Sequence, residues 1–170
     1  MKKIAMLVVA LTMTLAAQAQ SYYKPTLTPF HSDKLFIGAS LTGFDLNYSG
    51  TEEVKIGAQA QLGYMFFDNV LGYAEVAYNN GGDGPHTTTL GLGGRYYIEQ
   101  NGLFLGAKLA YQHAYGSYDD LMPGVEIGYS FFLSRTVTIE PAVYYNQSFK
   151  NHSDYSNLGI KIGFGIYLND

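Results

Sequence analysis

From Leu158 to Leu168 the chain reads LGIKIGFGIYL. The even positions, Leu158, Ile160, Ile162, Phe164, Ile166 and Leu168, are all apolar, while Gly159, Lys161, Gly163, Gly165 and Tyr167 are small or carry a polar group. Successive side chains of an extended strand point to opposite faces, so this period of two predicts a strand with one wholly greasy face.

The same pattern recurs seven times before it. Working back to the start, strands are expected at about Lys34 to Asp45, Val54 to Phe66, Val70 to Asn79, Thr87 to Glu99, Leu103 to Ala114, Leu121 to Leu133 and Val137 to Ser148. The third is the weakest, because Gly72 and Ala74 dilute its apolar face. Their connections alternate in length. Phe67-Asp68-Asn69, Glu99 to Gly102 and Ser134-Arg135-Thr136 are tight turns, with Asn101-Gly102 a favoured hairpin dipeptide. Leu46 to Glu53, Asn80 to His86, Tyr115 to Asp120 and Phe149 to Ser156 are longer and more polar. Eight antiparallel strands with short turns on one side and longer loops on the other are the sequence form of an up-and-down transmembrane β-barrel.

The chain ahead of the first strand divides in two. Met1 to Ala19 has a basic start (Lys2, Lys3), an apolar run from Ile4 to Leu15 and a small-x-small Ala17-Gln18-Ala19 site. That is the layout of a signal peptide, and the run is shorter than the roughly 20 residues a spanning helix needs. Residues 20–33 carry Pro25 and Pro29 without alternation and read as a short irregular segment, leaving 34–170 for the barrel.

Composition supports the membrane. Charged residues make up 14% of the chain, against roughly 25% in soluble domains. There are 16 Tyr and 10 Phe but no Trp. Tyr64, Phe66, Tyr96, Tyr129, Phe131 and Tyr167 fall near the short turns or the C-terminus; Tyr48, Tyr78, Tyr111, Tyr115, Tyr118 and Tyr145 fall near the longer loops. These are expected to form two interfacial girdles. A formal charge of −4, or −6 without Lys2 and Lys3, argues against a nucleic-acid partner. With no cysteine there is no disulfide framework, thiolate nucleophile or Cys-based metal site.

Alternation alone also fits a soluble barrel around an apolar cavity. The second face decides between them. It is mostly Gly, Ala, Ser, Thr and Gln, the small residues that an eight-stranded interior can hold. Lys55, Arg95, Lys108 and Lys161 are expected there beside Glu75, Glu126 and Glu140, paired in the lumen because they cannot reach bulk water. An ion path along these charges is the functional alternative to a salt-bridged core.

In strand number, loop alternation and girdles the chain resembles the small outer-membrane barrels of the OmpA and OmpX type over its whole mature length. Lys161-x-Gly163-x-x-Ile166-x-Leu168 is similar to the β-signal that the barrel-assembly machinery recognises, although the chain ends Leu168-Asn169-Asp170 without the usual Phe. Its Gly- and Tyr-rich style also resembles porin-family barrels of Bacteroidetes-like bacteria. The resemblance implies the bacterial outer membrane as location, lipid and lipopolysaccharide as surroundings, a monomer, no cofactor, and a structural or surface-interaction role, with a narrow pore as the alternative.

Other chemistry has thin support. His152-Ser153-Asp154-Tyr155-Ser156-Asn157 is the one nucleophile-like constellation and faintly resembles the His-x-Ser-Asn motif of lipid A deacylases. His152 stands four residues before Ser156 rather than two, however, and no carboxylate follows in the next strand. Asn79 to Pro85 lacks the spaced carboxylates of a calcium loop. Gly91-Leu92-Gly93-Gly94 opens no helix and is no nucleotide fingerprint. His31, His86, His113 and His152 have no metal-ligand spacing. The expectation is therefore no catalytic, cofactor-binding or metal-binding residue.

Overall fold

A computed structural model describes residues 29–47, 52–53, 56–80, 86–98, 102–114 and 118–169. The expected leader, residues 20–28, Tyr48, Val54, Lys55, Gly81 to Pro85, Asn101 and Tyr115 lie outside the described residues, as does the side chain of Tyr118.

Eight long strands follow in order: β1 (Lys34–Asn47), β2 (Ile56–Phe67), β3 (Val70–Asn80), β4 (Thr87–Tyr97), β5 (Leu103–Ala114), β6 (Tyr118–Tyr129), β7 (Val137–Asn146) and β8 (Asn157–Asn169). Each pairs antiparallel with the next, and β8 closes on β1 from Lys34↔Asn169 to Asn47↔Asn157. The result is a closed eight-stranded meander with no free sheet edge along its length, which is how a sheet satisfies its backbone in lipid. Two short strands, Glu52–Glu53 and Phe131–Phe132, extend the pairing of β1 and β7.

The strands depart from the expected bounds in two instructive places. β6 starts at Tyr118, not Leu121, and its ladder with β7 is interrupted at Tyr129 and Ser130, opposite Glu140 and Pro141. Pro141 has no N–H to give to a ladder. β7 stops at Asn146, not Ser148, and a single helical turn, α1 (His152–Tyr155), follows before β8.

Alternation fixes the two faces. On β4, Leu90, Leu92 and Tyr96 stand on the exterior while Thr89, Arg95 and Tyr97 are buried inside. The outer surface is an apolar belt that includes Leu41, Leu62, Leu90, Leu92, Val125, Ile162 and Phe164, with Leu92 70% exposed. A soluble monomer does not carry a contiguous apolar surface of this extent. A bulge between Met65 and Phe67 adds a residue to β2 and lets Phe66 and Phe67 both face outward. The short β2–β3 turn and the turn before β5 use left-handed residues, Asn69 at φ 66° and Gly102 at φ 74°, as tight hairpins require.

The interior is filled by pairing small residues against large ones. A Cβ on Gly63 would lie 2.7 Å from the Gly72 carbonyl oxygen and 2.9 Å from Leu71 Cδ1. Because a backbone oxygen cannot swing aside, Gly63→Ala is expected to destabilise the barrel by about 1–3 kcal/mol, read as a lower urea midpoint with an unchanged slope.

Candidate functional site

The luminal charges expected from sequence come together at mid-barrel. Arg95 Nε lies 2.5 Å from Glu126 Oε1, and its Nη1 is 2.9 Å from Glu140 Oε2. Its Nη2 donates to Gln61 Oε1 at 3.0 Å. Lys161 Nζ lies 2.5 Å from Glu126 Oε2, and Lys108 Nζ is 2.6 Å from Glu75 Oε1. Gln59 and Gln61 donate to the other Glu75 oxygen. Glu140 Oε1 accepts from Ser130, Thr138 and Tyr167 hydroxyls at 3.1, 2.8 and 3.0 Å. Three cations thus face three carboxylates, and both oxygens of every carboxylate are engaged. The guanidinium also sits 4.8 Å from the Phe104 ring centroid and 5.1 Å from that of Tyr73, a cation–π arrangement that further desolvation strengthens.

Below this layer, toward the short turns, the lumen is aromatic. Phe36, Met65, Leu71, Tyr73, Tyr97, Phe104 and Tyr167 form one buried cluster with Phe30. Two expectations need correction here. The inner face is not small and polar throughout, and Tyr167 is not an interfacial girdle residue. It is fully buried, with its hydroxyl 3.0 Å from both the Tyr97 hydroxyl and Glu140 Oε1, because the parity of β8 turns it inward. Tyr64, Phe66, Tyr96, Tyr78 and Tyr111 do stand on the exposed face.

Phe30 is the residue that sequence reasoning missed. It lies in the irregular segment before β1, yet it is 1% exposed and stacks on Tyr97 with centroids 4.0 Å apart. Its carbonyl accepts the Asn69 N–H at 2.8 Å, and the Asp33 N–H reaches Met65 O at 3.0 Å. The Ser32 N–H donates to Asp68 Oδ1 at 2.7 Å. That backbone hydrogen bond, with smaller help from the Ser32 side chain and His31, holds the Asp68 carboxyl below the usual range. The stabilisation it gives is present above the ordinary carboxylate pKa and fades as pH falls through the lowered one. Together these contacts stopper the short-turn end of the barrel.

At the other end the structure brings His152 and Ser156 together, with His152 Nδ1 2.7 Å from Ser156 Oγ. Gln147 decides what this contact does. Its Oε1 accepts from Tyr145 OH, so its Nε2 faces Ser148 O and His152 Nδ1, at 2.9 and 2.8 Å. An amide nitrogen only donates, so Nδ1 is an acceptor held by two donors. Ser156 is fully buried and its Oγ accepts the Ser148 N–H at 2.9 Å. The pair pins the loop onto the rim and keeps the Ser156 hydroxyl buried. The other histidines stay apart: His31 lies near Asp68, His86 stacks on Tyr78, and His113 Nδ1 contacts Asp119 at 2.6 Å. Gly91 to Gly94 lie within β4. Among the described residues, no cluster of three or more His, Asp or Glu is placed to hold a metal.

No protein-family model and no curated protein matches the chain. Solved structures do. Neisserial surface protein A superposes with a TM-score of 0.62 at 16% identity, over 79% of this chain and 97% of that one. The N-terminal β-barrel domain of Pseudomonas aeruginosa OprF gives 0.59 at 15% identity, over 81% and 98%. The outer membrane protein OprG from Pseudomonas aeruginosa gives 0.51 at 16% identity, over 85% and 100%. With the closed meander and the apolar belt already in place, the chain has the fold of the small eight-stranded barrels of the bacterial outer membrane.

Proposed function

We propose that this protein is a non-enzymatic, non-conducting outer-membrane barrel that serves as a structural element and presents its outer loops to partners at the surface. The observation that carries this reading is the sealed lumen: a charge-balanced layer around Arg95 above an aromatic stopper completed by Phe30. An eight-stranded interior has room for side chains and little more. Lipid and lipopolysaccharide are the surroundings of the belt, the barrel-assembly machinery reads the last strand, and the barrel works as a monomer without a cofactor.

Planar-bilayer recording tests the seal. The refolded barrel is expected to show no stepwise conductance at high protein concentration, and discrete steps would support the narrow-pore alternative instead. For the surface role, Phe149 and Lys150 stand exposed on the loop that follows β7. Exchanging Phe149 to Ser156 for a neutral turn is expected to abolish binding to cells or envelope partners without loss of the folded band on a gel. The hydrolase alternative draws on the His152–Ser156 contact, but a hydroxyl that is buried and already accepting a backbone N–H is poorly placed for attack on a lipid ester.

A further inference from the structure

Between the Arg95 layer and the outer rim the lumen holds a polar cavity of about 50 Å³, bordered by Lys108, Lys161, Gln112, Tyr144, Asn146 and Asn157. One water needs only roughly 10–15 Å³ of such space, so an ion of a few heavy atoms fits. The hydrogen-bonding capacity that borders this space is unequal. Both oxygens of Glu75, Glu126 and Glu140 already have partners. Each lysine, by contrast, meets one carboxylate oxygen, and an ammonium has three N–H donors. What completes the lysines is an acceptor, best one with negative charge.

A second, independent feature narrows the choice. Asn146 Oδ1 is buried without a hydrogen-bond partner, while its Nδ2 donates to Asn157 Oδ1 at 3.0 Å. A buried acceptor of this kind calls for a donor. Asn146 and Lys108 flank the same glycine: a Cβ on Gly124 would lie 2.5 Å from Asn146 Oδ1 and 3.2 Å from Lys108 Cε. Both side chains therefore close over this glycine, which brings the unpartnered acceptor and the lysine stem together on one wall of the cavity.

We propose that the outer lumen is a closed-ended binding site for a small oxyanion that carries a hydroxyl, with hydrogen phosphate as the simplest example. The anionic oxygens take the free N–H donors of Lys108 and Lys161, and the hydroxyl donates to Asn146 Oδ1. Arg95 and its carboxylates form the floor, so the site loads and empties through the loop side. The proposal goes beyond the surface role above and stands or falls separately from it.

The test is amide NMR of the refolded full barrel in micelles, titrated near neutral pH with inorganic phosphate, and in parallel with sulfate and chloride at matched ionic strength. Phosphate is expected to give saturable shifts at Gly124, Asn146 and Asn157, with weaker responses to sulfate, which lacks the hydroxyl, and to chloride. Asn146→Leu is expected to weaken phosphate binding about tenfold, the worth of one charge-assisted hydrogen bond, and Lys150→Gln on the outer rim to leave it unchanged. Asn146→Asp, which keeps the shape but adds a negative charge, abolishes it, and covers the case in which the leucine variant does not fold. Absence of saturation, equal responses to all three anions, or binding that survives Asn146→Asp overturns the proposal.

Discussion

Arg95→Met is expected to lower the unfolding free energy of the barrel by about 3–5 kcal/mol, the usual consequence of removing one partner from a buried ion network. The guanidinium is the member that joins Glu126, Glu140 and Gln61. Without it Glu126 keeps Lys161, but Glu140 is left with hydroxyl donors alone, and the buried layer acquires one uncompensated negative charge. The double variant Arg95→Met/Glu140→Gln restores the balance and is expected to recover most of the loss. Urea titrations in lipid vesicles, followed by far-ultraviolet circular dichroism, measure both. A single variant within about 1 kcal/mol of the parent, or a double variant worse than the single, would remove the Arg95 layer from its central place.

The second large effect is expected at Phe30. Its ring stacks on Tyr97 and packs against Phe132 and Tyr167, so Phe30→Ala removes a fully enclosed aromatic and leaves a cavity at the mouth of the barrel. Such deletions destabilise by about 3–5 kcal/mol. Phe30→Leu, which refills much of the volume, is expected to lose less than half as much. The same urea titration distinguishes this from a passive tail: if Phe30→Ala unfolds at the parent's midpoint, the segment is no stopper. The four strands that supply Phe36, Tyr97, Phe104 and Tyr167 would then be closing that end unaided.

Phe30 also marks the limit of what the sequence made legible. β8 could be read residue by residue, because a strand between lipid and lumen has a face for each environment and the alternation records both. The luminal ion network followed from the same parity, and Arg95, Lys108, Lys161, Glu75, Glu126 and Glu140 all point inward as expected. Phe30 belongs to no periodic segment. Its segment is held by the Asn69 N–H on the Phe30 carbonyl and by the Asp33 N–H on the Met65 carbonyl, and nothing local in Pro29-Phe30-His31 encodes these long-range bonds. Tyr167 was ambiguous for a different reason: a tyrosine near a strand end suits an interface and a polar-tipped core equally well, and it is its odd position on β8, shared with Lys161, Gly163 and Gly165, that turns it inward. The break in β6 traces to Pro141 on the neighbouring strand, a pairing effect that a single strand's pattern does not carry. The four-residue spacing of His152 and Ser156 counted against the pair in the sequence, yet a helical turn puts residues four apart side by side. Their burial under Gln147 and Ser148 could be seen only in the fold.

The central claim is that the apolar face meets lipid and the charged face is sealed inside. The absence of native cysteine makes it directly testable by spin labelling at Leu92→Cys and Phe164→Cys in reconstituted bilayers. Both positions lie on the exposed apolar belt, so their nitroxides are expected to collide freely with oxygen and to be shielded from a water-soluble nickel chelate. Labels at both sites that are open to the chelate and poor in oxygen would place this face in water and contradict the account.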